Sequence, residues 1–173
     1  MVCCRTQFAS EQYWRMGHQL WWQPCASNCV EWRRVKALVT QMALVNNQAT
    51  FGQKPKNMVL AWETQSARGE ITPHPGSESA SPGLRGFPDM IAMKRDDPAA
   101  YWPKVFSPTL IIDAEDEELF DRRVNGVALH QSLKGRVTTA YTAIEGKRYD
   151  LYRGEGYEET LNAAEDWFVE HLK

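Results

Sequence analysis

Long apolar runs are missing from this sequence. Nothing in it approaches the ~20 consecutive apolar residues that span a bilayer, so no membrane association is expected. Charge of one sign is also lacking: 20 Lys and Arg stand against 22 Asp and Glu, a net charge of −2. A nucleic-acid binder would need a basic face, and this balance supplies no case for one. The opening residues, MVCCRTQFASEQYW, have no apolar centre of the kind a signal peptide carries. The expected location is therefore cytoplasmic. Cysteines are few: Cys3, Cys4, Cys25 and Cys29 all lie in the first 29 residues. Cys25 and Cys29, with His18, would be the start of a metal site. The ligand-spacing rule wants a second paired motif, which is missing. Free, partly buried thiols in a reducing compartment are the better reading, and no metal is expected. Cys25 has no sequence context for a catalytic thiol.

What is present suits one globular domain. The chain has 173 residues, of which 43% are hydrophobic and 24% charged. The most informative stretch is Pro108 to Asp121, PTLIIDAEDEELFD. Thr109 to Ile112 form a short, continuously apolar run, the pattern of a strand buried on both faces in a parallel sheet. The run ends in Asp113, Glu115, Asp116, Glu117 and Glu118. In open parallel sheets, function collects at the carboxyl ends of strands.

The remaining elements alternate. Gln12 to Trp32 has helical content, broken by Pro24, with Trp, Cys, Arg and Gln too mixed for one clean apolar face. Val35 to Thr40 is the first convincing strand. Pro55 to Ala67 suits a helix with Met58, Val59 and Trp62 on one side and Gly69 beyond its end. Thr72 to Gly86, rich in Pro, Ser and Gly, reads as a loop. Met90 to Met93 reads as a helical turn, and Asp97-Pro98 opens another with Asp97 as N-cap. After the strand Thr109–Asp113, a helix is predicted from Glu117 to Leu133, stopped by Gly135. Val137 to Ile144 alternates as a strand, with Val137, Thr139, Tyr141 and Ala143 on one face. A last helix over Tyr157 to Leu172 carries the stripe Tyr157, Leu161, Ala164, Phe168 and Leu172. Strand, helical insertion, strand, helix, strand, helix is an α/β order.

Several of these segments resemble the α/β-hydrolase superfamily, in the branch around dienelactone hydrolases and fungal polyketide transferases or thiohydrolases. The resemblance is best from Asp97 to Lys173. It rests on DPAAYWPKV, PTLIIDAEDEELFDRRVNG, GKRYDLYRGEGYEE and DWFVEHLK, with RRVKALVTQ and SARGEITPHPG as weaker segments reaching back to about Arg33. It implies an incomplete α/β-hydrolase fold: a partial parallel sheet flanked by helices, with a lid-like insertion over 51–102. The implied domains are a divergent segment, 1–32, and the hydrolase-like part, 33–173. The N-terminal strands and oxyanion-hole loop of the family are not found, so the chain is expected to be truncated or degenerate, with its N-terminus fitting a misjoined reading frame.

The family's catalysis needs a nucleophile, an acid and a His. The resemblance places the acid at Glu117, with Asp116 and Asp113 as alternatives. A solvated acidic helix start explains the same residues without catalysis. Where relatives resemble G-K-H-Y-D, this chain reads Gly146-Lys147-Arg148-Tyr149-Asp150, so Arg148 stands at the position of the base. Arginine stays protonated and cannot take a proton from a nucleophile. It can still pair with Glu117. His130 and His171 fall on predicted helices and read as exposed; His74 lies in the loop. No G-x-S-x-G turn occurs. If Gly17-His18 is the remnant of a Gly-Gly-His-like run, Tyr13 falls near the nucleophile position. Bulky neighbours there oppose the tight turn that small residues allow. Ser10 is close by, without an elbow.

Three readings follow. One is an acyl hydrolase or acyl transferase working on an ester, lactone or thioester, with no cofactor, impaired by its missing parts. Another is a non-catalytic binding protein, self-associating through an uncovered sheet edge. The last is a chain without independent function.

Overall fold

In the computed structural model, the described residues are 2–8, 11–17, 35–70 and 90–172; for 2–8, 11–17, Met90 and Ala92 only the backbone is described. They form two compact units by contact, one of residues 1–46 with 98–173, the other of Asn47–Asp97.

The first unit is built on a five-stranded sheet in the order β2-β1-β3-β4-β5. Strands β1 (Val2–Phe8) and β2 (Glu11–Gly17) pair antiparallel, Val2 opposite Gly17 and Phe8 opposite Glu11. Helical content predicted from Gln12 is thus corrected over 12–17, which is strand; residues 18–34 lie outside the described residues. β1 runs antiparallel to β3 (Val35–Gln41), with a register shift at Arg5/Thr6. β3 is therefore paired on both sides, by β1 and by β4, and the outer strands of the sheet are β2 and β5.

From β3 onward the sheet is parallel, as the apolar runs predict. The second unit interrupts the chain after Asn46. It comprises α1 (Asn47–Gly52), α2 (Lys56–Ala67) and α3 (Met90–Arg95), with 71–89, the predicted loop, outside the described residues. Within this unit the buried Asn47 side chain donates to the carbonyls of Met93 and Asp96. Asp97 does not cap its own turn: its carboxylate accepts from the backbone N–H of Asn47, 3.0 Å, and of Gln48, 3.4 Å. No residue of α2 is buried; Trp62 meets Phe51 edge-on at 6.2 Å.

The first unit resumes with a 3-10 turn, Pro98–Lys104, then β4 (Thr109–Asp116), α4 (Gly126–Leu133), β5 (Thr139–Lys147) and α5 (Gly154–His171). β4 lies between β3 and β5, with Leu38 opposite Thr109 and Thr109 opposite Thr139. Six of its eight residues, Thr109 to Ala114, are buried. Its side chains alternate between two cores. Ile111 packs with Leu38, Val45, Leu129 and Leu133 on the α4 side. Leu110, Ile112 and Ala114 pack with Ala37, Val39, Ile144, Trp167 and Phe168 on the α5 side. Parity then puts Asp113 on the face of Ile111, under α4.

Two helices differ from their patterns. The predicted helix 117–133 begins only at Gly126, after a 3-10 turn at Arg122–Val124. Asn125 holds φ −111° and ψ −100°, outside the helical region, because its side chain is engaged elsewhere: Oδ1 accepts from the N–H of Val45 (3.1 Å) and Asn46 (3.0 Å), and Nδ2 donates to the Asp121 carbonyl. In α5 the C-terminal half of the predicted stripe packs: Phe168 is buried beside Trp167, with Ala164 and Leu172 against the same core. Tyr157 and Leu161 stay exposed.

Candidate functional site

The carboxyl ends of β4 and β5 lie side by side, because the two strands are parallel neighbours. Each exit delivers one charge. Glu117 is the first residue after β4, and Arg148 the first after β5. Their side chains meet: Arg148 Nε donates to Glu117 Oε1 at 2.7 Å. The side chains are 1% and 3% exposed, so this is a buried ion pair.

Further contacts fix it. Arg148 Nη2 donates to the Met42 carbonyl at 3.1 Å. Met42, just past β3, has φ +45°, a left-handed value that costs a non-glycine residue strain. It is held there in part by its own N–H on the Ile112 carbonyl, 2.7 Å. The Phe120 ring lies 5.0 Å from the guanidinium carbon, within cation–π range. Glu117 Oε1 also accepts from Leu119 N–H at 2.9 Å, which turns the chain away from the strand. Glu117 Oε2, Arg148 Nη1 and the Tyr149 hydroxyl are buried with no hydrogen-bond partner.

Asp113 lies four residues before Glu117, inside β4, and is 3% exposed. Its carboxyl group occupies the place where a side chain at 126 would be: a Cβ there would overlap Oδ2 and stand 2.8 Å from Cγ. Glycine at 126 is what lets α4 begin this close to the carboxylate. Burial raises the Asp113 pKa to about 6, and nearby Glu117 adds to the rise. A hydrogen bond with Tyr141 and the charges of Arg122 and Arg148 work against it. Tyr141 is itself pushed up to about 12, by burial first and then by the Asp113 charge. Arg122 Nη1 reaches the Tyr141 hydroxyl at 3.4 Å.

The other candidates are dispersed. Asp116 is exposed at the end of β4, opposite Lys147 in register. Tyr13 lies mid-strand in β2, opposite Thr6, in an antiparallel hairpin rather than at a strand-to-helix turn. His130 and His171 are half-buried, which corrects the expectation that they are exposed. His130 Nδ1 faces Thr139 Oγ1 at 3.3 Å, and its pKa is lowered by burial and by Lys134. The His171 ring packs on Trp167 at 4.2 Å. Ser10, His18, Cys25, Cys29 and His74 lie outside the described residues. Among the described residues no three His, Cys, Asp or Glu are grouped to hold a metal ion, and no helix is long and apolar enough to cross a membrane.

The site therefore has a carboxylate at the end of one parallel strand and a buried partner at the end of the next. The fold that carries this pair is similar to that of known structures. BpoC of Mycobacterium tuberculosis, assigned as a non-heme bromoperoxidase, aligns over 86% of this chain with a TM-score of 0.52 and 12% identity. A monoacylglycerol lipase of Paleococcus ferrophilus aligns over 88% with a TM-score of 0.57 and 14% identity. The fold is a partial α/β-hydrolase fold. At these identities the likeness concerns the fold alone. The chain spans less than two thirds of either relative, 63% and 65% of their lengths. No family model and no curated protein matches the sequence. In chemical terms, the pair on this fold can hold charge and geometry but cannot relay a proton, since one member never gives its proton up.

Proposed function

We propose that this chain is a non-catalytic α/β-hydrolase-like protein, derived from acyl hydrolases or acyl transferases of the dienelactone hydrolase and polyketide transferase kind. It holds an acyl ester or thioester without turning it over. The observation that carries the reading is Arg148 at 2.7 Å from Glu117, in a buried site. In a Ser-His-acid relay the acid orients a base that accepts and returns a proton. Here Glu117 orients a guanidinium that is a donor only. Losing either the base or the nucleophile costs several orders of magnitude in rate. The proposed mode of action is therefore recognition of the acyl group, with no cofactor, by a chain that also self-associates through an outer strand of its sheet.

The test is an assay of p-nitrophenyl acyl esters and acyl thioesters on the wild type, Glu117→Ala and Arg148→His. Calorimetry with a non-hydrolysable thioether analogue runs alongside. Background turnover with saturable analogue binding is expected for the wild type. Wild-type turnover well above background that collapses in Glu117→Ala would overturn the loss of catalysis. Absence of analogue binding by the folded protein would overturn the binding role.

A further inference from the structure

β5 closes one side of the sheet: β4 pairs with it, and no strand among the described residues lies beyond it. The Thr109 N–H donates to the Thr138 carbonyl at 2.9 Å, so Thr138 turns its main chain toward β4. By alternation Ala140, Thr142 and Ile144 do the same. The amides and carbonyls of Thr139, Tyr141 and Ala143 then face outward. No described residue hydrogen-bonds to them. Edges of this kind are ordinarily blunted by lysine, proline or a bulge. From Thr139 to Ile144 the strand reads TAYTAI and has none of these. At β2, the other outer strand, Glu11 and Arg15 put charge within the strand.

The open stretch has fixed ends. Before it, the Val137 N–H is spent on the Leu133 carbonyl at 3.2 Å. After it, β5 carries an extra residue against β4: Ala114 stands opposite Ile144, but Asp116 opposite Lys147. The two ends differ in charge. Lys134 and Arg136 precede the stretch and Glu145 follows it, all exposed and without an ion pair among the described residues. Lys147 is already paired with Glu118 at 3.0 Å. A second copy running antiparallel sets the acidic end against the basic end, whereas a parallel copy sets like against like. A two-fold axis that joins two sheets antiparallel keeps each face on its own side, so a residue meets one of its own parity. The register that pairs all the outward groups puts Tyr141 opposite itself in the second copy, and Thr139 opposite Ala143.

We propose that the outer edge of β5 is a homodimer interface: two copies join their sheets antiparallel through Thr139–Ile144, with the two-fold axis at Tyr141. Resting on the self-association in the proposed function, it narrows that contact to one strand and one register. Each outward residue exchanges two main-chain hydrogen bonds with the residue opposite. Glu145 falls beside Val137 of the second copy, next to its Arg136, so the charged ends select another copy of this chain. The contact uses no part of the Glu117–Arg148 pair and forms with or without an acyl ligand.

Sedimentation velocity on the full chain tests it, with circular dichroism as the check on folding. The wild type should dimerise. Ala143→Pro removes an outward N–H and no bond to β4, and should weaken the dimer about tenfold or more with the fold intact. If that variant does not fold, Ala143→Lys, which charges an exposed position, carries the same expectation. In this register Ala140 and Thr142 of the two copies face each other as a non-hydrogen-bonded pair, about 4.5 Å between Cα atoms. Under mild oxidation Ala140→Cys with Thr142→Cys should therefore give a covalent dimer that neither single variant gives. Linkage by a single variant, or none by the double, overturns the register. A folded variant at 143 that associates as tightly as the wild type overturns the role of β5 and leaves self-association to another surface. A monomeric wild type overturns the interface and the self-association together; binding of the acyl analogue, read by calorimetry on the same sample, decides the binding role separately.

Discussion

Removing one partner of the Glu117–Arg148 pair should cost far more than removing both. Glu117→Leu leaves the guanidinium in a site where its side chain is 1% exposed, with the Met42 carbonyl, the Phe120 ring and the Asp113 charge as its remaining company. Arginine cannot shed its charge to escape. Breaking a buried pair this way costs about 3–5 kcal/mol, a large share of a typical domain stability of about 5–15 kcal/mol. Arg148→Met strands a carboxylate instead. That group retains the Leu119 N–H, so the loss is smaller. The double variant Glu117→Leu with Arg148→Met removes both desolvation costs and should fall within about 1 kcal/mol of the wild type, or above it. Urea unfolding followed by tryptophan fluorescence measures all four corners of the cycle. Single losses below about 0.5 kcal/mol, or a double variant equal to the sum of the singles, would refute the buried pair as the organising contact of the site.

Two further outcomes follow from Asp113. Its pKa of about 6, against an ordinary aspartate value of 3.8, means the folded state binds the proton more tightly than the unfolded chain. The stabilisation this gives is full below the unfolded value and lost as pH rises through about 6, a difference of about 3 kcal/mol at 1.36 kcal/mol per unit. Asp113→Asn should flatten that part of the stability–pH curve; an unchanged curve in urea titrations from about pH 4 to about pH 8 would place the titration elsewhere. Gly126→Ala puts a methyl into the Asp113 carboxyl group and should destabilise by about 1–3 kcal/mol, partly recovered in the double variant with Asp113→Ala. Equal losses with and without the carboxyl would show that the clash is not the cause.

The parallel strands were legible because each is a short apolar run covered on both faces, as Thr109 to Ala114 is. The contact between Glu117 and Arg148 was legible too, from where a resemblance set the two residues relative to the strand ends. What the sequence hid depends on tertiary partners. Leu119, Phe120 and Val124 keep helical spacing, yet the chain is not α-helical there. Glu117 is drawn to Arg148, Phe120 lies over that guanidinium, and Asn125 spends its side chain on Val45 and Asn46. The β1–β2 hairpin was missed because Cys3, Cys4, Arg5 and Gln7 give no clean two-residue alternation. The β-branched and aromatic residues Val2, Thr6, Phe8, Tyr13 and Trp14 were the available signal. In the sequence Asp113 stands as an alternative to Glu117 for the acid position. Its place against Gly126, thirteen positions on, has no local signature.

The acidic position after β4 is weak evidence for chemistry once Arg148 is present. A catalytic acid is kept because a base needs orienting. Here the same carboxylate is kept because a buried, permanently charged guanidinium needs a counter-ion. The two demands leave the same residue in the same place, at the exit of the same strand. They differ in what happens when the partner changes. With a neutral imidazole at 148, Glu117 would be free to vary at the cost of rate alone. With arginine there, losing the carboxylate costs the fold itself. Stability alone is thus enough to keep a carboxylate at this strand exit, and the partner at the next strand end, not the acid, is the residue that would report on a proton relay.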